Sequence, residues 1–129
     1  MVWEFMGLTM NTKKKTEIRI PILNDEYKII VVLGGAKEIG RVLKAYHYPE
    51  DITHYDLEQM LIDMRGRTFY HKGCYPVIAL PKKPKTPEQI GTLAHEAVHA
   101  VEHIFNSIQE ESRDEVFAHS IGAVVREVL

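Results

Sequence analysis

Thr86–Phe105 reads TPEQIGTLAHEAVHAVEHIF, and this stretch decides the fold. Thr86, Pro87 and Gln89 form a helix start. They supply a hydroxyl to accept a backbone N–H, a proline where no N–H is needed, and an amide to close a capping box. Ile90, Leu93, Ala94, Ala97, Val98, Val101, Ile104 and Phe105 then recur at helical spacing, a stripe that needs a core to lie on. The spacing predicts a long amphipathic helix that breaks at Asn106-Ser107. His95 and His99 are four residues apart, so they share one face about one turn from each other. Two imidazoles so placed can hold one zinc ion through their ring nitrogens. Glu96 is rotated round the helix to lie beside that ion rather than on it. A carboxylate there suits a general base for a metal-activated water.

A catalytic zinc takes three protein ligands and keeps one position open. His103 lies on the same helix about 12 Å of rise beyond His95, too far to share the ion. Glu102 and Phe105 stand where the metzincin pattern needs glycine and histidine. Glu110, Glu111, Asp114 and Glu115 follow near the start of a last helix, which runs from about 107–112 to Val128. Glu115 is the favoured third ligand and Glu111 the alternative. Glu115, Ala118, His119 and Gly122 fall on one side of that helix. Small Ala118 and Gly122 are expected to let it approach the histidine helix closely. Phe117, Ile121, Val124, Val125 and Val128 face the core. A further reading makes Glu115 only a cap in Ser112-Arg113-Asp114-Glu115, although Ser107–Glu110 offers an earlier capping box.

Working outward, Glu17–Leu23 alternates polar and apolar residues, meets Asn24-Asp25, and is followed by Tyr27–Leu33, rich in β-branched residues. The pair predicts a hairpin, with Pro21 marking an edge strand. Gly34-Gly35 then leads into a helix over Ala36–Tyr46. The glycine spacing misses both nucleotide-binding fingerprints, so a plain strand-to-helix turn is expected. A second helix is predicted near Tyr55–Met64, with Gly66 as its stop. Two strands follow, Arg67–His71 and Tyr75–Leu80. Pro76 and Pro81 bracket the second, which predicts another edge. His47, His54 and His103 are expected at the surface. The fold class is α+β, a small, mostly antiparallel sheet packed on helices, with zinc between the last two helices. Residues 1–16 are expected to form a flexible arm, Met10 being an alternative start, and 17–129 a single domain.

The chain has 129 residues, 45% apolar and 26% charged, with net charge −2. That balance suits one soluble domain and offers no broad basic surface for nucleic acid. Lys13–Lys15 and Lys82–Lys85 read as solvated segments. Cys74 is the only cysteine, which excludes an intramolecular disulfide and a cysteine zinc cluster, and fits a reducing cytoplasm. No run is long enough to span a membrane and no export signal is read.

H-E-x-x-H followed by a glutamate on the next helix resembles the gluzincin class of zinc peptidases. The compact strand–linker–helix–helix layout from Arg67 to Leu129 is similar to minimal gluzincins and to small phage or bacterial metallopeptidases of the ImmA/IrrE type. The resemblance implies a zincin-like fold, with one Zn2+ held by His95, His99 and Glu115, and Glu96 as base and proton shuttle. It implies an acidic residue one turn after the ligand glutamate, where this chain has His119. The asparagine and closing proline of the ImmA/IrrE pattern are absent. His119, Tyr75, His71 and Arg113 are candidates for oxyanion or second-layer roles. A peptide or protein substrate is expected along the strand Tyr75–Leu80. The competing class is a zinc-stabilised interaction domain without turnover.

Overall fold

The computed structural model describes residues 16–23, 25–49, 65–108 and 115–129, with the backbone alone at Glu115. The expected arm, the predicted helix near Tyr55–Met64, His54, Glu110, Glu111, Arg113 and Asp114 lie outside the described residues. Strand β1 (Glu17–Ile22) pairs antiparallel with β2 (Tyr27–Leu33), placing Ile20 opposite Ile29 and Pro21 opposite Lys28. Helix α1 spans Ala36–Ala45, and β3 (Arg67–Phe69), β4 (Val77–Leu80), α2 (Pro87–Ser107) and α3 (Glu115–Val128) follow. Gly34 and Gly35 form the expected strand-to-helix turn. The Gly34 N–H donates to the Leu80 carbonyl at 2.9 Å, and α1 starts directly after Gly35.

The sheet order is β1-β2-β4-β3. Among the described residues β1 is an edge, as Pro21 predicts. β4 is not. It pairs parallel with β2 on one side and antiparallel with β3 on the other, so the expectation of an edge at Tyr75–Leu80 is overturned. Pro76 and Pro81 sit just outside the strand, where a missing N–H costs no ladder bond. All four residues from Val77 to Leu80 are buried, the mark of a strand covered on both faces. The sheet is therefore mixed. Its parallel pair follows from connectivity, since β2 reaches β4 by a long connection that includes α1 rather than by a hairpin.

Alternation splits the strands between two cores. Ile20, Ile22, Ile29, Val31, Ile78 and Leu80 pack with Leu93, Ala97, Ala100, Val101, Ile104 and Phe105 of α2 and with Val124 and Val128 of α3. Ile30, Val32, Val77 and Ala79 pack with Ile39, Val42 and Leu43 of α1, together with Tyr48 and Phe69. The result is three layers, α1 on one face and α2 with α3 on the other. Phe117, Ile121 and Val125 pack against the first core as expected.

The small residues of α3 act otherwise than expected. Ala118 is exposed. A Cβ at Gly122 would meet, among the described residues, only the tip of Arg126 at 4.0 Å. The helices meet instead through Phe105 and Phe117, edge to face at 5.4 Å between ring centroids.

The start of α2 matches the reading of Thr86. Its Oγ1 accepts from the Gln89 N–H at 3.2 Å, and Gln89 Oε1 accepts from the Thr86 N–H at 3.2 Å and from the Lys85 N–H at 2.8 Å. Thr86→Ala is expected to cost about 1 kcal/mol, read as a lower urea midpoint with unchanged slope. An unshifted midpoint would mean that the Gln89 amide suffices alone.

Candidate metal centre

α2 lies over the β3 side of the sheet, with its buried stripe inward, so His95 and His99 are left exposed on the outer face. Their rings stand nearly perpendicular, at 83°, with centroids 4.7 Å apart. The two Nε2 atoms approach to 3.2 Å. Two ligand nitrogens on one tetrahedral zinc, each at roughly 2.05 Å, are about 3.3 Å apart. The pair therefore has the separation that a shared zinc requires. The same contact serves an imidazole–imidazole hydrogen bond, one ring donating and the other accepting.

Glu96 is half-buried beside the pair, turned toward β3. Its Oε1 accepts from the Thr68 hydroxyl at 2.7 Å, and the same hydroxyl lies 3.0 Å from the Glu96 carbonyl oxygen. With one proton to give, the hydroxyl favours the shorter, charge-assisted contact. The approach of β3 is set by Gly66. A Cβ there would lie 2.7 Å from Thr92 Cγ2 and 2.9 Å from Leu80 Cδ2, closer than real side chains pack. Whatever precedes it, Gly66 is needed for this passage of the chain against α2.

Glu115 is the first described residue of α3, and its side chain lies outside the described residues, as does Glu111. Among the described residues no group of three His, Cys, Asp or Glu side chains assembles at metal-binding spacing. His119 is exposed and lines a shallow groove of about 460 Å³ with Pro21, Ile22, Leu23 and Ser120, on the β1 side of α3. Tyr75 and His71 gather beyond the end of α1. Tyr75 stands edge-on to Tyr46 at 6.5 Å, and His71 lies tilted against Tyr48 at 6.5 Å. The Tyr48 hydroxyl reaches both the Phe69 carbonyl at 3.0 Å and the Tyr75 carbonyl at 2.7 Å. It clamps the β3–β4 connection, and burial drives its pKa well above the usual phenol range. With the Phe69 carbonyl so engaged, the strand predicted over Arg67–His71 ends at Phe69. Partial burial raises the Cys74 thiol pKa, against thiolate character.

His103 lies at the margin of the surface. It is half-buried, with its ring stacked on Tyr70 at 4.9 Å and 29°. Tyr70 continues directly from β3 and is 54% exposed, so an aromatic pair borders α2 one turn beyond His99. Burial lowers the His103 pKa from the ordinary 6.5. The unfolded chain then takes up this proton at higher pH than the folded chain. The stability held by neutral His103 is complete above pH 6.5 and is lost as pH falls through the folded-state value. His103→Phe, which keeps the stack and removes the titration, is expected to flatten the fall of urea midpoint below that pH. An unchanged slope would assign the acid sensitivity to other groups.

Thr68 and Tyr70 are the contributors that sequence reading passed over. Both belong to or follow a short strand whose contact with α2 spans 28 residues, with β4 between them, and no local pattern marks it. Compared with known proteins, the chain matches no family model, no curated relative and no solved structure.

Proposed function

We propose that this chain is a minimal zinc metallopeptidase of the gluzincin type. His95 and His99 hold the ion, Glu115 completes the ligand set, and Glu96 is the general base. The observation that carries the reading is the approach of the two Nε2 atoms to 3.2 Å on an exposed helix face, with the intervening carboxylate held from the neighbouring strand. Also in its favour, the helix after α2 carries a glutamate, Glu115, and packs against α2. A zincin-like arrangement would need that order of elements.

A zinc ion in such a site supplies Lewis acidity and brings the pKa of water toward about 7. Glu96 takes the proton of the attacking water and returns it to the leaving amine. With Oε1 occupied by the Thr68 hydroxyl, Oε2 is the oxygen left for that traffic. The peptide substrate is assigned to the outer edge of β3 rather than to Tyr75–Leu80. β4 is paired on both sides, whereas β3 has no strand on its outer side among the described residues. An extended peptide there would add main-chain bonds to an open edge and run alongside Glu96. A cytoplasmic setting is proposed from the single cysteine. No helix among the described residues is long and apolar enough to cross a membrane.

Elemental analysis of the untagged protein, with Glu115→Ala alongside, tests the site. Near one zinc per wild-type chain and a sharp loss in the variant support the proposed ligands. A wild-type chain that neither retains nor takes up zinc overturns the enzyme reading. Turnover is then sought with a pool of quenched-fluorescent peptides of randomised sequence.

A further inference from the structure

We infer that Thr68 is a positioning residue for Glu96, holding one carboxylate oxygen from the edge strand so that the other stays available to the reacting water. The inference rests on the peptidase reading and deepens it. A glutamate side chain on a helix has several rotamers open to it, and a base that samples them all spends little time where a proton can be taken. Here the 2.7 Å bond from Thr68 Oγ1 selects one placement of Oε1. Among the described residues Glu96 has no other side-chain hydrogen bond.

Thr68 is suited to the task by its own constraints. Its β-branched side chain has few rotamers. Its backbone is in register with Ile78 of the buried central strand, and it is half-buried. Gly66, two residues earlier and so on the same face of the chain, removes the side chain that would hold β3 away from α2. The base is thereby tied to the strand on which the peptide is proposed to lie. Substrate backbone and proton acceptor then belong to one rigid unit, as an in-place base requires.

A purely structural account would make Thr68 a tether between strand and helix, since its hydroxyl also reaches the Glu96 carbonyl. Thr68→Val and Thr68→Ser separate the two accounts. Valine keeps the shape and loses the hydroxyl, and serine keeps the hydroxyl. The expected result is that both variants hold zinc at the wild-type level. Thr68→Val should lose about 10–100-fold in kcat on the peptide pool with KM little changed, while Thr68→Ser recovers most of the loss. A second readout needs neither zinc nor turnover. Three-bond NMR couplings along the Glu96 side chain should report one rotamer in wild type and Thr68→Ser, and averaging in Thr68→Val. A Thr68→Val chain whose Glu96 stays in one rotamer overturns the inference, whatever the peptide pool shows. A chain that binds no zinc yet shows the averaging defeats the peptidase reading and leaves the Thr68–Glu96 pairing standing.

Discussion

Replacing Glu96 with glutamine is expected to leave zinc content unchanged and to cut peptide hydrolysis by roughly 10²–10⁴-fold, the usual worth of a positioned general base. The structure explains why this substitution is clean. The carboxylate does not lie in the helix row of the proposed ligands His95 and His99. It sits to one side, with Oε1 bonded to the Thr68 hydroxyl. In the Glu96→Gln variant the side-chain amide still offers a carbonyl oxygen to that hydroxyl, so the contact between β3 and α2 survives. Only the ability to take a proton at the second position is removed. Loss of zinc together with activity would make Glu96 a ligand rather than a base. Hydrolysis at the wild-type rate would move the base elsewhere. A partner-binding activity untouched by the change would favour a zinc-stabilised interaction domain. Metal analysis and peptide turnover on one preparation distinguish the three.

Phe105→Ala is expected to cost about 3–5 kcal/mol, a large share of the roughly 5–15 kcal/mol that holds a small domain together. Phe105 is fully buried and is among the largest side chains of the core. It lies where α2, α3 and the sheet meet, and its ring stands edge-on to Phe117 at 5.4 Å and 88°. Truncation removes the transfer free energy of a ring, leaves a cavity that the sheet behind it has little freedom to close, and forfeits the aromatic pair. Urea denaturation reads the loss directly. On the metallopeptidase reading, the effect should reach the proposed zinc site as well. Phe105 lies in the interface that seats α3, and Glu115 lies on that helix, so zinc retention is expected to fall although no proposed ligand is altered. A cost under about 1 kcal/mol would mean that α3 moves in to refill the site. Full zinc retention in the destabilised variant would separate the metal from the seating of α3.

The parts legible from sequence are those made by neighbours along the chain. Thr86 and Gln89 bond each other across three residues, and the capping box could be read because both partners lie within one helical turn. His95 and His99 share a face for the same reason. The β1–β2 hairpin was legible because alternation in Glu17–Leu23 and a short turn fix the pairing register locally. Pro21 marked β1 as an edge because the constraint is carried by one residue.

Prolines misled at β4, where Pro76 and Pro81 looked like edge markers and are the strand's boundaries. The unbroken apolar run from Val77 to Leu80, buried on both faces, was the truer signal. The place of β4 between β2 and β3, the parallel pairing with β2, the passage of Gly66 against Thr92 and the bond from Thr68 to Glu96 all join residues far apart in sequence. Contacts of that kind leave no periodicity, since they depend on how whole elements bury their faces together. The local chemistry of a helix with two histidines and a glutamate was thus determined by sequence alone. Only the tertiary structure decided which strand lies beside that helix, because strand order is set by the joint burial of both sheet faces and not by any segment on its own.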